Sequence, residues 1–306
     1  MSADDALVLS NDDVRDLPAT VAVDAARTAL VAAYRGSLTG TPRVAVPAAG
    51  GELVFTVGGY DGGSGPVGFR VYGIGDDPVE QVTVVWSRSG RLAAVVTGDE
   101  LGARRTGALG AVAVDLLARS DAEVVGLVGT GVQAWTQLWA IRAVRPVREV
   151  RAFSRQAQGR EAFAERAREQ LALPVKAVAT PEQAVSGADI VVLATRSPTP
   201  VIDPAWVGPG THVSTVGPKT RSSHECPAEI PARAAVVATD SPAQAAAYGE
   251  PCFTARELTH LGAIAAGDSS GRSTQDEITF YLSTGLAGSE VVLAASLLEA
   301  QRRDPG

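Results

Sequence analysis

A chain of 306 residues, 45% hydrophobic and 20% charged, has room for two domains with cores of their own and is ordinary in composition for a globular protein. Its net charge of -7 argues against nucleic acid as the main partner, because phosphate backbones need a basic face. Two cysteines, Cys226 and Cys252, are too few for a disulfide framework, and with three histidines no cluster has metal-ligand spacing, so no metal is expected and both thiols read as buried rather than nucleophilic.

Met1 to Asp5 is acidic and lacks the basic and apolar regions of a secretory signal; no apolar run is long enough to span a bilayer, so no membrane is expected and the cytoplasm is the default location. Ser10-Asn11-Asp12-Asp13 has the pattern of a helix start, with Ser10 as cap and Asp13 in the first turn. Residues 23–34 have amphipathic helical spacing, and Gly36 ends them. Strand-like runs follow at 41–44, 53–57, 68–72, 82–86 and 92–96, and Arg88-Ser89-Gly90-Arg91 joins the last two as a hairpin signal. This half reads as a meandering, mostly antiparallel sheet. The glycine-rich stretch 58–65, with Tyr60 and Asp61, reads as a flexible loop, either filler or a cover for a site. Residues 99–118 form a long helix of small residues that contains Arg104 and Arg105 and leads into the second half.

The second half is organised around Val124-Val125-Gly126-Leu127-Val128 and the turn Gly129-Thr130-Gly131-Val132-Gln133-Ala134. A valine-rich strand runs into Gly-Thr-Gly, and an amphipathic helix follows. Gly129 permits the turn, Gly131 leaves room for a pyrophosphate, and Ala134 takes the third small position where helix and strand pack closely. The bland alternative is a plain buried turn. A second strand at 147–154, at the expected distance, favours a dinucleotide site. A helix at 160–171, with Phe163, Ala167 and Leu171 on one face, and a strand at 175–179 come next. Thr180-Pro181-Glu182-Gln183 is a capping-box start, and strands at 190–195, 212–217 and 235–240 complete the alternation.

The fold class is therefore α/β, a Rossmann-type doubly wound sheet with ligand expected at the carboxyl ends of its strands. The apolar helix at 286–302 is expected to return to the N-terminal α+β domain and complete it, giving domains at 1–118 with 286–306 and at 119–285. Dinucleotide enzymes that take NAD place Asp or Glu at the end of the second strand; Phe153-Ser154-Arg155 stands there instead, and Ser154 with Arg155 favours NADP(H), with NAD(H) possible.

These landmarks together resemble the ornithine cyclodeaminase/mu-crystallin family. The resemblance rests on Leu9-Ser10-Asn11-Asp12-Asp13-Val14, Pro42-Arg43, Arg105-Thr106-Gly107-Ala108 and the turn 129–134. It continues through Gly187-Ala188-Asp189-Ile190, Ala194-Thr195-Arg196-Ser197, Pro209-Gly210-Thr211-His212-Val213, Val216-Gly217, Asp276-Glu277-Ile278-Thr279 and Ser283-Thr284-Gly285-Leu286-Ala287, essentially the whole chain. It implies a homodimer, an N-terminal substrate and dimerisation domain, and NAD(P) chemistry at a carbon–nitrogen bond of a small amino, imino or keto acid.

By the same resemblance Arg43 and Arg105 hold the substrate carboxylate, to which a guanidinium fork is matched, with Arg104 as the alternative to Arg105. Two positions depart from the family pattern. Its catalytic lysine appears here as Arg70, and the aspartate of the cyclodeaminase branch after Val216-Gly217 is replaced by Pro218-Lys219. Arginine stays charged and is a poor proton shuttle, whereas lysine can be tuned. The chain has only two lysines, Lys176 and Lys219. Lys219 is thus read as the proton donor or acceptor and Arg70 as an anion clamp; the alternative is that Lys219 caps a loop or binds the cofactor. Arg43, Arg70, Arg105 and Lys219 would together suit a substrate with more than one acidic group. Ala194, Thr195 and Ser197 after the fourth strand, with Val216 and Gly217 after the fifth, are expected near the nicotinamide, though Thr195 and Ser197 equally suit a turn. His224 and Glu225 are candidates for an acid/base pair, His260 reads as a packed histidine, and Asp276 and Glu277 read as helix N-terminal charges, although the family resemblance puts them near the site. Three functions follow: an imine reductase or amino-acid dehydrogenase, a cyclodeaminase using NAD catalytically, and a ligand-binding protein without turnover.

Overall fold

Two units divide the chain: Met1–Arg105 with Gly285–Gly306, and Thr106–Thr284. The computed structural model describes residues 6–48, 50–75, 80–248 and 257–303; Cys252 lies outside them. The first unit opens with β1 (Leu7–Leu9), α1 (Asn11–Arg15) and α2 (Ala19–Tyr34). Asp13 Oδ2 accepts from the Ser10 backbone N–H at 2.7 Å, so the start read from sequence is a working cap. Then come β2 (Leu38–Gly40), β3 (Val44–Ala48), β4 (Gly51–Tyr60), β5 (Val67–Gly75), β6 (Val82–Trp86) and β7 (Leu92–Thr97). Their order in the sheet is β1-β7-β6-β5-β4-β2, with β3 also on β4. Every pair is antiparallel except β1 on β7, a short parallel strand that sequence reading left out. The stretch 58–65 is not all loop: Gly58 and Gly59 pair with Gly68 and Val67, so β4 runs on to Tyr60 and a short connection at 61–66, opened by the tight turn Asp61–Gly63, remains.

Helix α3 (Glu100–Leu117) carries the chain from the first unit into the second. There β8 (Val124–Val128), α4 (Val132–Ile141), β9 (Glu149–Phe153), α5 (Ala157–Leu171), β10 (Val175–Ala177), α6 (Pro181–Val185), β11 (Ile190–Leu193) and β12 (His212–Thr215) alternate as expected. They are followed by α7 (Glu229–Arg233), β13 (Val236–Thr239), α8 (Pro242–Ala247), β14 (Thr259–His260), α9 (Leu261–Ala265) and β15 (Thr279–Leu282). The order β10-β9-β8-β11-β12-β15-β13-β14 is parallel throughout and reverses direction between β8 and β11. That reversal is the switch point at which such sheets bind ligands. β8, β11, β12 and β15 are buried along their whole length, as strands covered on both faces must be.

β15 corrects the reading of residues 276–282. Asp276 and Glu277 precede a strand rather than a helix. Glu277 accepts from the backbone N–H of Ser273 at 2.6 Å, closing the turn before Thr279-Phe280-Tyr281-Leu282, whose β-forming side chains insert between β12 and β13. The last element among the described residues is α10 (Ser289–Arg303), which packs on α2 and on one face of the first unit's sheet. Leu9, Val54, Val85, Ala94 and Val96 are buried on that face, while the opposite face leaves Val8, Val44, Val46, Val57 and Val67 exposed.

Candidate functional site

The turn after β8 has the geometry its sequence demands. Gly129 sits at φ +112°, and a Cβ there would lie 2.2 Å from the Ala194 carbonyl oxygen, so only glycine fits where β8 and β11 part. Gly131 is different. It is extended, forms the N-cap of α4 with no side-chain capping bond, and a Cβ built on it would meet no atom within 4 Å. The first-turn N–H groups of α4 thus open onto free space beside bare backbone, a cradle that suits an anion such as a pyrophosphate. Ala134 is fully buried against the sheet, Val132 is exposed, Thr130 is half-buried, and Gln133 carries a buried amide oxygen with no partner among the described residues. At the end of β9, the Ser154 carbonyl accepts from Arg160 at 3.0 Å and the Arg155 side chain is exposed.

The loops after β11 and β12 are organised by a residue whose role the sequence did not reveal. Glu225 is completely buried. Its Oε2 accepts from the N–H and hydroxyl of Thr195, at 2.6 and 2.7 Å. Its Oε1 accepts from the Thr215 hydroxyl at 2.8 Å and from the N–H groups of Val216 and Gly217 at 3.1 and 2.5 Å. Those five bonds commit both carboxylate oxygens, and its neighbour His224 turns Nδ1 to the Thr220 carbonyl at 3.2 Å, so the two residues that the sequence suggested as an acid/base pair build the loop instead. Lys219 donates to the Val216 and Gly217 carbonyls at 3.2 and 2.6 Å, with its Nζ 5.7 Å from the centre of the Tyr248 ring. Ser197 donates to the Thr199 carbonyl at 2.7 Å, and Thr195 Oγ1 accepts from the Ser197 N–H at 3.1 Å, so both also build the turn.

Two histidines in this unit are fully accounted for. His260 is half-buried and caps α9, Nδ1 accepting from the Gly262 N–H at 2.9 Å, a directional role beyond simple packing. His212 is completely buried between Thr279 Oγ1 and Ser214 Oγ, each at 3.0 Å; burial, with Arg272 and Arg145 behind it, pushes its pKa down to about 3 and keeps the ring neutral.

The arginines of the first unit meet at two points. A Cβ on Gly285 would lie 2.5 Å from Arg43 Nη2 and 3.4 Å from Arg105 Nη1, so both guanidiniums close on that bare backbone. Arg105 also bonds the Glu290 carboxylate through Nη2, and Arg70 Nη1 reaches the same carboxylate at 3.3 Å. Arg70 is further held by Gln81 Oε1 at 2.5 Å and by the Tyr72 ring, 4.4 Å below its centre. Burial pushes the Glu290 carboxyl up, and the Arg105 and Arg70 guanidiniums outweigh it, leaving it below the usual carboxylate range. Burial likewise lowers the Arg70 guanidinium, against the pull of Glu290. Glu290 therefore offsets the charge of two of these arginines, which the sequence did not indicate. Arg104, the alternative to Arg105, is as buried as Arg105 and donates to Glu100 at 2.8 Å. Arg105 Nε is buried with no partner among the described residues, a donor of the kind a carboxylate ligand would use. Among the described residues no group of three His, Cys, Asp or Glu side chains could hold a metal ion, and no helix is long and apolar enough to cross a membrane.

Comparison with known proteins places these features in context. A model of the ornithine cyclodeaminase/mu-crystallin family matches residues 6–303. A Rhizobium meliloti relative is 37% identical over 211 residues, 66% of this chain and 64% of its own length. A Delta(1)-pyrroline-2-carboxylate reductase of Bacillus cereus is 34% identical over 221 residues, 69% of this chain and 68% of that protein. The chain thus aligns with less than two thirds of the first of these relatives. Among solved structures, the iminosuccinate reductase of Paracoccus denitrificans in complex with NAD+ superposes with a TM-score of 0.88 at 26% identity, covering 98% of this chain and 97% of that one.

Proposed function

The chain belongs to the ornithine cyclodeaminase/mu-crystallin family, and from that premise we propose that it is an NAD(P)H-dependent reductase of the C=N bond of a small imino acid, or the corresponding amino-acid dehydrogenase. The observation that carries this reading is the Gly131 cradle at the switch point of a doubly wound sheet, in a chain similar to imino-acid reductases. The dinucleotide, when bound, supplies hydride for the imine carbon. Gly129 to Ala134 hold its pyrophosphate. Arg43 and Arg105 take the substrate carboxylate, and the partnerless Arg105 Nε supports that role. Lys219 supplies the proton for the imine nitrogen, and Arg70 stays a fixed cation. Ser154 and the exposed Arg155 favour NADP(H) over NAD(H).

The test is nicotinamide absorbance over time with NADPH or NADH and a panel of α-keto acids plus amines and cyclic imines, with one or two carboxylates. Net cofactor oxidation is expected, and it is expected to fall at least a hundredfold in Lys219→Met (about the size of one acid/base group). No net oxidation, with ammonia released from ornithine or lysine at catalytic NAD, would overturn the reductase in favour of a cyclodeaminase. Dinucleotide binding without either activity would favour a non-catalytic binding protein.

We also propose a homodimer formed through the open face of the first unit's sheet. Val8, Val44, Val46, Val57 and Val67, all on that face by register, are 41–75% exposed. A broad apolar sheet face of this kind is self-complementary about a two-fold axis, and a second copy of the chain covers it. Light scattering is expected to give twice the 31.4 kDa of one chain, and Val57→Glu to shift it toward one.

A further inference from the structure

Glu225 stands outside the glycine turn and outside every strand, yet five donors converge on it and none of them is a cation. Thr195 follows β11 and Gly217 follows β12, which lie side by side in the sheet with Leu193 opposite Thr215. One carboxylate therefore ties together the two loops that leave adjacent strands. The approach is close: a Cβ on Gly217 would lie 2.3 Å from the Thr195 carbonyl oxygen and 2.6 Å from the Glu225 carboxyl carbon. From the other side Lys219 holds the carbonyls of Val216 and Gly217. The peptide groups of this loop are pinned at both polar ends.

A dinucleotide in such a sheet straddles the switch point. Its pyrophosphate lies at the turn after β8, and its adenosine half on the β9 side, where Ser154 and Arg155 stand. The other half, which carries the nicotinamide, falls on the side of the β11 and β12 loops. With its oxygens committed to five donors, Glu225 has nothing left to offer a ligand directly. We propose that Glu225 is a positioning residue for the nicotinamide half of the cofactor: its buried carboxylate locks the Thr195 and Val216–Gly217 loops together, and through them sets where the ring lies. The proposal rests on the dinucleotide reading above. Only an ionised carboxylate accepts at both oxygens; a glutamine of the same size would turn one of them into a donor facing donors.

The experiment is Glu225→Gln, titrated by fluorescence or calorimetry with NADH and NADPH, and with ADP-ribose and its 2′-phosphate, which lack the nicotinamide. Affinity for the preferred full dinucleotide is expected to fall about tenfold or more, the size of a disrupted set of charge-assisted bonds. Affinity for the matching ADP-ribose form is expected to move less than twofold. Equal losses for both ligands, or no loss for either, would overturn the positioning role. Should Glu225→Gln fail to fold, Thr215→Val removes one donor and decides by the same two affinities, with a loss of about threefold confined to the full dinucleotide. If the wild-type chain binds neither ligand, the cofactor reading itself falls, and the two failures are told apart.

Discussion

Glu290 in the first unit and Glu225 in the second are both shut away from water, and they are held by opposite kinds of partner. Glu290 lies against two guanidiniums, Arg105 and Arg70. Glu225 meets three backbone N–H groups and two hydroxyls. The first arrangement is a balance of charges, in which each partner is costly alone. The second is a cage of dipoles, in which the anion organises backbone. The difference fits the task of each region. Under the proposed function the first unit presents cations to an acid, and Glu290 holds two of them in place. The second has to hold loops steady at the ends of parallel strands, where the ladder has stopped and backbone donors need an acceptor.

The comparison breaks most visibly when each carboxylate is removed. Glu290→Met leaves Arg70 and Arg105 buried without their counter-charge and is expected to cost about 3–5 kcal/mol in urea unfolding. Part of that should return in Glu290→Met/Arg105→Met, which leaves one buried guanidinium, that of Arg70, without its counter-charge instead of two, giving a coupling energy of about 2 kcal/mol in the double-mutant cycle. Glu225→Met strands the N–H groups of Thr195 and Gly217, while that of Val216 keeps the Leu193 carbonyl at 2.9 Å, and is expected to cost about 3 kcal/mol. No single partner substitution can rescue it, since backbone donors cannot be deleted; adding Thr215→Val should recover no more than about 1 kcal/mol. If Glu225 were rescued as fully as Glu290, the two would not be different devices.

This contrast also explains what could be read from the sequence and what could not. The glycine turn, the alternation of strand and helix, and the capping boxes at Ser10 and Thr180 are local patterns, set by neighbours a few residues apart, and each stands in the structure. Glu290 reads as an ordinary first-turn acid of α10; its Arg105 partner is 185 positions away. Glu225 is 30 positions from Thr195 and lies in a loop with no periodicity to betray it. β15 was hidden for a related reason. Four residues long, it enters the sheet between β12 and β13, and nothing in its own run states which strands flank it. The choice of His224 with Glu225 as an acid/base pair came from side-chain chemistry alone, and burial decided otherwise.

A third buried ionisable group sharpens the contrast by avoiding charge altogether. His212 is neutral in the fold, with its pKa near 3 against an ordinary value of 6.5. The unfolded chain therefore binds a proton that the folded chain refuses between these values, so stability falls as pH drops through that window and is regained above it. From pH 6.5 to pH 5 the loss from this one residue is expected to be about 2 kcal/mol. Glu290, held below the usual carboxylate range, contributes stability that is present above the ordinary carboxylate pKa and is lost only on further acidification. Urea unfolding at pH 7, 6 and 5 separates them: His212→Gln should flatten the slope in that interval, whereas Glu290→Met should lower the whole curve without changing its slope.

The smallest effect on stability is expected at Gly131, one of two glycines two residues apart in the turn that are required for different reasons. Gly129 is required by the protein itself. Its left-handed φ and its 2.2 Å approach to the Ala194 carbonyl mean that Gly129→Ala strains the fold and forces β8 and β11 apart. Gly131 is extended and faces open space, so Gly131→Ala meets no protein atom and should leave the unfolding midpoint within about 0.5 kcal/mol of wild type. If the cradle takes a pyrophosphate, the added methyl stands between the phosphates and the α4 N–H groups, and affinity should fall about tenfold for NADH, NADPH and ADP-ribose alike. That uniform loss is the complement of Glu225→Gln, where only the nicotinamide-bearing ligands are expected to suffer. Unchanged affinity in Gly131→Ala would move the phosphates away from this turn and with them the assignment of which half of the cofactor faces which strands.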